Sequence, residues 1–177
     1  MPYQVSYVKG EINFEALPVA KITKYPLEKA DYKPYAQCCI CAGELGFSLR
    51  MWAFEVFPSG ESEIRGVFGL FEDAGSILHI RARGFNPVLA DAWVQTPKDK
   101  IPVEIQSHPY NGEDLQGVYW GAQIFAGYRE INRAAQMISI KPGISFPANF
   151  QKLRTDKPHE HTGFYAQDMD TFEIISW

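Results

Sequence analysis

The stretch Phe47-Ser-Leu-Arg-Met-Trp-Ala-Phe54 alternates without a slip. Phe47, Leu49, Met51 and Ala53 fall on one side, and Ser48, Arg50, Trp52 and Phe54 on the other. A period of two marks a β-strand, because successive side chains point to opposite faces. Two further runs repeat the pattern. Leu78, Ile80 and Ala82 alternate with His79, Arg81 and Arg83, and Val118, Trp120, Ala122 and Ile124 alternate with Tyr119, Gly121 and Gln123.

Outward from these runs, further strands are expected over Tyr3–Val8, Val19–Tyr25, Tyr35–Cys41, Ile64–Phe71, Val103–Ser107, Ile144–Phe146 and Phe172–Ser176. Turn residues separate them at Pro58-Ser-Gly60, Asp73-Ala-Gly75, Asn111-Gly112 and Pro142-Gly143, since Gly, Asn and Pro supply the backbone angles that turns require. The best helix candidate is Tyr128–Met137, stopped by Lys141-Pro-Gly143. About ten short strands with one or two short helices predict an all-β, two-sheet antiparallel sandwich. With no repeat or linker, residues 1–177 form one domain, a length ample for one buried core.

Aromatic residues make up 14% of the chain, a bias that suits pleated, half-buried surfaces. The net charge is -4, which speaks against a nucleic acid or an anionic membrane as partner, because both call for a basic face. No apolar run approaches the about 20 residues that span a bilayer. Residues 1–9 lack the pattern of a secretion signal, so the cytoplasm is expected, with a mature secreted form left open.

The three cysteines, Cys38, Cys39 and Cys41, stand too close to bridge one another. They fit small apolar strand residues in a reducing compartment better than a zinc site, which needs about four ligands. The sequence has no Gly-rich phosphate loop, dinucleotide fingerprint or nucleophile elbow. His159-Glu-His161 is the one metal-like cluster, since alternate strand residues share a face. It defines an alternative reading, a small metal-dependent β-barrel enzyme of the cupin kind. A protein-interaction domain is a third.

Two stretches resemble bacterial, notably clostridial, domains of carbohydrate-binding module family 9. The first is Gly46–Glu55, followed by Ile64–Phe71 and then Leu78-His-Ile-Arg-Ala-Arg-Gly84. The second runs from Tyr119-Trp-Gly121 through Gly143-Ile-Ser-Phe-Pro-Ala-Asn-Phe-Gln-Lys152 to His161-Thr-Gly-Phe-Tyr165, and Phe172–Ile175 is similar to the family's closing strand. These follow the order of the family's "vEfF", "NANG", "yWg", "GNFYK" and "PHfGsW" landmarks. The resemblance implies a sandwich that grips sugars between aromatic rings and hydrogen-bonds their hydroxyls.

The departures are chemical. Arg65-Gly-Val-Phe-Gly-Leu-Phe71 replaces the family's acidic strand, and Arg81-Ala-Arg-Gly84 puts cations where the family has amides. That leaves two readings, an altered ligand such as an anionic sugar or a site that has lost its sugar. The expected function is a non-catalytic carbohydrate-binding domain rather than an enzyme.

The candidate ligand-binding residues are Arg50, Trp52, Arg81, Arg83, Asn149 and Tyr165. Trp52 and Tyr165 supply flat apolar faces, Asn149 matches the family's asparagine, and the arginines supply planar, forked donors. Trp93 is a candidate for a rim, and Trp120 for the core. No catalytic or metal residue and no cofactor is implied; calcium is not legible in the sequence.

Overall fold

The computed structural model describes residues 2–24, 35–55, 61–84, 87–113, 115, 117–154, 163–164 and 170–176. Strands β1 to β6 are Tyr3–Tyr7, Ala20–Ile22, Tyr35–Ala42, Gly46–Glu55, Ser62–Phe68 and Ile77–Arg83. Strands β7 to β10 are Leu89–Gln95, Lys100–Val103, Gln106–Glu113 and Val118–Gly127. After helix α1 (Tyr128–Ala134) come β11 (Ser145–Arg154), β12 (Gly163–Phe164) and β13 (Asp170–Ser176). A 3-10 turn at Phe14–Ala16 is capped by the Asn13 side chain, which accepts from the Glu15 amide. Among the described residues no helix is long and apolar enough to cross a membrane.

The strands form one hydrogen-bonded ladder in the order β8-β7-β6-β5-β11-β13-β1-β3-β4-β10-β9, with β2 added to β3 and β12 to β11. The ladder curls over a common core, so that β10 lies against β6 and β4 against β5. This is the expected sandwich with two differences. Its layers are continuous through β1, and β1 runs parallel to both β13 and β3. Both parallel pairs join strands that no hairpin connects, so nothing imposes the antiparallel direction there.

The core-facing sets match the sequence alternation. Phe47, Leu49, Met51 and Ala53 of β4 are buried, as are Trp120, Ala122 and Ile124 of β10. Around β13, the Phe172 ring centroid lies 5.7 Å from that of Phe150, 5.9 Å from Phe146 and 6.3 Å from Phe68. Such tilted and edge-on contacts are the favoured geometry of aromatic rings and add to the burial term.

The core also holds an ion pair. Lys152 Nζ lies 2.9 Å from Glu55 Oε1, and both side chains are buried. The other carboxylate oxygen accepts from Trp120 Nε1 at 2.7 Å. The ammonium also donates to the Leu153 carbonyl at 3.3 Å and stands 5.8 Å from the Trp120 ring centroid. Desolvating two charges is costly, and the added hydrogen bonds and the ring offset part of that cost. Glu55, Trp120 and Lys152 all sit inside the stretches that carry the family resemblance.

Several local expectations are corrected. Asn111-Gly112 is no turn but lies within β9, where Gly112 pairs with Tyr119 of β10. A Cβ at position 112 would overlap the Tyr119 ring, so this glycine makes room for a neighbour's ring. The expected strand over Val103–Ser107 breaks at residues 104 and 105, which separate β8 from β9. The helix ends at Ala134, before Met137, because Ala135 turns to extended backbone. Pro58-Ser-Gly60 lies outside the described residues.

Candidate binding face

Opposite the core, β3, β4, β10 and β9 present an outer face whose register places Tyr35, Phe54, Tyr119 and Gly112 in one row across the strands. The next row is Gln37, Trp52, Gly121 and Tyr110, and the one after it Cys39, Arg50, Gln123 and His108. The first two rows are mainly aromatic and the third polar. Tyr35 and Tyr119 are 42% and 43% exposed, and Trp52, Phe54 and Tyr110 are half-buried. The Tyr35 and Trp52 centroids lie 5.3 Å apart with their rings tilted by 56°.

Beside Trp52 the segment carrying Phe14, Glu15 and Val19 rises over β3 and encloses a cleft of about 150 Å³ lined also by Gln37 and Arg50. This segment is anchored by Phe14 and Leu17, which pack on Cys39 and Cys41 of β3. Burial pushes both thiols up to pKa values of about 11. That leaves them protonated and unreactive at neutral pH, as small apolar strand residues would be.

Arg50 is oriented by its neighbours. Its Nη1 lies 2.7 Å from Glu15 Oε1, and Glu15 first and then the Tyr110 hydroxyl raise the guanidinium pKa further. The Tyr110 hydroxyl reaches across β10 to the Met51 carbonyl at 3.3 Å. Gln37 donates to the Tyr35 hydroxyl. The cleft therefore offers a partly open indole face beside a guanidinium, an amide and a carboxylate. That combination suits a ligand with an apolar face and a polar edge.

The other candidates lie on the far side of the sandwich. Arg81 and Arg83 project from the outer face of β6, and Asn149 from that of β11. Because β4 and β10 pack on β5 and β6 through the core, this face points away from Trp52. Arg81 is committed there to Asp91 through contacts of 2.6 and 3.0 Å and to Glu63 at 3.3 Å. Asn149 is buried, and its side-chain oxygen accepts from the Phe150 amide. Arg83 is exposed.

Trp93, a candidate for a rim, is only 6% exposed. The His79 ring stacks on it at 4.9 Å and 4°. The guanidinium carbons of Arg81 and Arg65 stand 4.6 and 5.1 Å from its centroid, and the Lys100 ammonium 4.4 Å. Burial first, then the charges of Arg65, Lys100 and Arg81, lower the His79 pKa to about 4. The structure thus brings Arg50 and Trp52 together and separates them from Arg81, Arg83 and Asn149. Tyr165, His159 and His161 lie outside the described residues.

Sequence reasoning missed Tyr110 and the Tyr119–Gly112 pair. The period-two pattern already put Tyr119, Gly121 and Gln123 on one side, and only the strand over 106–113 was lacking.

The sequence matches no protein-family model and no curated protein. Solved structures do match over nearly the whole chain. A protein from Bacteroides uniformis, described as a candidate carbohydrate binder, aligns with a TM-score of 0.65 at 12% identity, covering 97% of both chains. A family 9 carbohydrate-binding module from Caldicellulosiruptor kristjanssonii in complex with glucose aligns at 0.60 and 12% identity, covering all of this chain and 97% of that one. The same kind of module in complex with cellotriose aligns at 0.59 and 12% identity, covering all of this chain and 95% of that one. At this identity the likeness is one of architecture: the chain has the fold of the family 9 carbohydrate-binding modules.

Proposed function

We propose that this protein is a non-catalytic carbohydrate-binding domain that holds a small sugar or glycan end in the cleft beside Trp52. The observation that carries the reading is the half-buried Trp52 ring set among Arg50, Gln37 and Glu15 in one cleft. A sugar ring has one face of C–H groups and a rim of hydroxyls. The indole takes the first, and the guanidinium, amide and carboxylate take the second. The sugars bound by the structural neighbours agree with this choice of ligand.

Binding without hydrolysis fits the lining. Glycoside hydrolysis ordinarily uses two carboxylates flanking the scissile bond. Among the described residues lining this cleft, Glu15 is the one carboxylate.

A second reading places an acidic sugar on the opposite face, using exposed Arg83 beside Arg81. It is favoured by the presence of Arg65, Arg81 and Lys100 around one tryptophan, since guanidinium groups bind carboxylates in a forked geometry. Isothermal titration against neutral and acidic mono- and disaccharides tests both. Heat with neutral sugars that Trp52→Ala removes supports the cleft. Heat with acidic sugars alone that Arg83→Ala removes supports the far face, and no heat with any sugar overturns the function.

A further inference from the structure

The cleft beside Trp52 is one end of a wider surface. Two glycines shape it. At Gly112 a Cβ would overlap the ring of Tyr119, so Tyr119 lies down across β9 instead of standing away from the sheet. At Gly121 a Cβ would overlap the Met51 carbonyl oxygen, the same oxygen to which the Tyr110 hydroxyl donates at 3.3 Å. Tyr110 therefore reaches over the β10 backbone where a larger residue would stand. Each glycine faces a tyrosine on the neighbouring strand, Gly112 opposite Tyr119 and Gly121 opposite Tyr110. With Trp52 and Phe54 on β4, the rings form a floor that runs across β4, β10 and β9.

Along one side of that floor runs the polar row of Arg50, exposed Gln123 and exposed His108. The charged group among them, Arg50, is already paired with Glu15, so the floor complements an uncharged occupant. Neighbouring strands are about 4.8 Å apart. A floor spanning three strands is therefore longer than one sugar ring.

We propose that the outer face of β4, β10 and β9 binds a linear neutral glycan along its length, with Trp52 as one subsite and Tyr119 with Tyr110 as a second. This rests on the carbohydrate-binding reading and adds to it the length and charge class of the ligand. The chain runs across the strands, its sugar faces on the rings and its hydroxyls toward Gln123 and His108. Tyr119 serves only ligands long enough to reach it.

Titration with neutral β-1,4-linked oligosaccharides of one to six residues, in glucose, xylose and mannose series, tests the proposal. In at least one series the affinity rises about ten-fold or more between the monosaccharide and the tetrasaccharide. Tyr119→Ala removes that rise and leaves monosaccharide affinity within about two-fold, whereas Trp52→Ala weakens every length. Tyr119→Phe keeps the rise. Gly112→Ala, which pushes the ring off the sheet, abolishes it and serves if Tyr119→Ala does not fold. Equal affinity at all lengths, or a Tyr119→Ala protein that keeps the rise, overturns the extended site while leaving the sugar-binding reading intact. If no saccharide of any length binds, both fall.

Discussion

The two outer faces of this sandwich each carry a tryptophan, and the two tryptophans live in opposite surroundings. Trp93 is covered. His79 stacks on it, and Arg65, Arg81 and Lys100 crowd its ring, while Glu63 and Asp91 tie the arginines down. Trp52 is half-open, with Tyr35 at one edge and a cleft at the other. Positive charge concentrates on the first face, and the second is close to neutral with glycines under its tyrosines. An exposed aromatic ring indicates a ligand only where its face is free, and the register of neighbouring strands decides that.

The largest difference expected between the faces is in stability. Trp93→Ala removes the ring that three cations and an imidazole share and costs about 3–5 kcal/mol, read by urea denaturation, with saccharide affinity unchanged. Trp52→Ala costs much less stability and loses the binding. A Trp93→Ala protein as stable as the parent would show that the charged face is not held together by that ring.

The buried pair between β4 and β11 joins the two layers and gives the next effect. Lys152→Ala leaves Glu55 buried without its cation and destabilises by about 3 kcal/mol. The double variant Glu55→Leu with Lys152→Met removes both charges and recovers most of that loss in the same denaturation experiment.

A pH effect belongs to the Trp93 face. His79 titrates at about 4 in the folded chain against an ordinary 6.5, so the unfolded chain binds the proton first. Stability is full above about 6.5 and falls as the pH drops toward 4. After allowance for solvent screening of this partly exposed group, the loss is on the order of 1–2 kcal/mol. The measurement is the difference in stability between the parent and His79→Gln. The variant's stability curve is flatter over that window.

The smallest stability effect separates the two arginines. Arg50→Ala breaks an exposed ion pair and costs less than about 1 kcal/mol, yet weakens sugar affinity. Arg81→Ala leaves Asp91 and Glu63 without their forked donor, costs about 1–2 kcal/mol, and leaves affinity for neutral sugars unaltered.

Much of this was legible in the sequence, for physical reasons that also mark where it was not. The alternation over Phe47–Phe54 and Val118–Ile124 fixes which residues face the core, and it correctly buries Trp120 and leaves Arg50 and Trp52 outside. Strand β7 was hidden because its inward residues are Ala90, Ala92 and Val94, too small to stand out as a hydrophobic stripe. Within β9, Pro109 and Asn111-Gly112 carry turn chemistry, and only pairing with β10 shows that the glycine accommodates Tyr119. Lys152 and Glu55 look like surface charges until β4 and β11 bring them together in the core. The commitment of Arg81 to Asp91 depends on a register between β6 and β7 that periodicity does not encode. Likewise, nothing local signals that β1 runs parallel to its two neighbours.

The central claim, that the ligand sits on the face of Trp52 and not on that of Trp93, is tested most directly by mapping backbone amide NMR shifts. The probe is a neutral β-1,4-linked tetrasaccharide titrated into the full chain. The predicted result is a set of saturable shifts at Gln37, Arg50, Trp52, Tyr110 and Tyr119, with His79, Arg81, Arg83 and Asn149 unmoved. Shifts confined to His79, Arg81, Arg83 and Asn149 would contradict it.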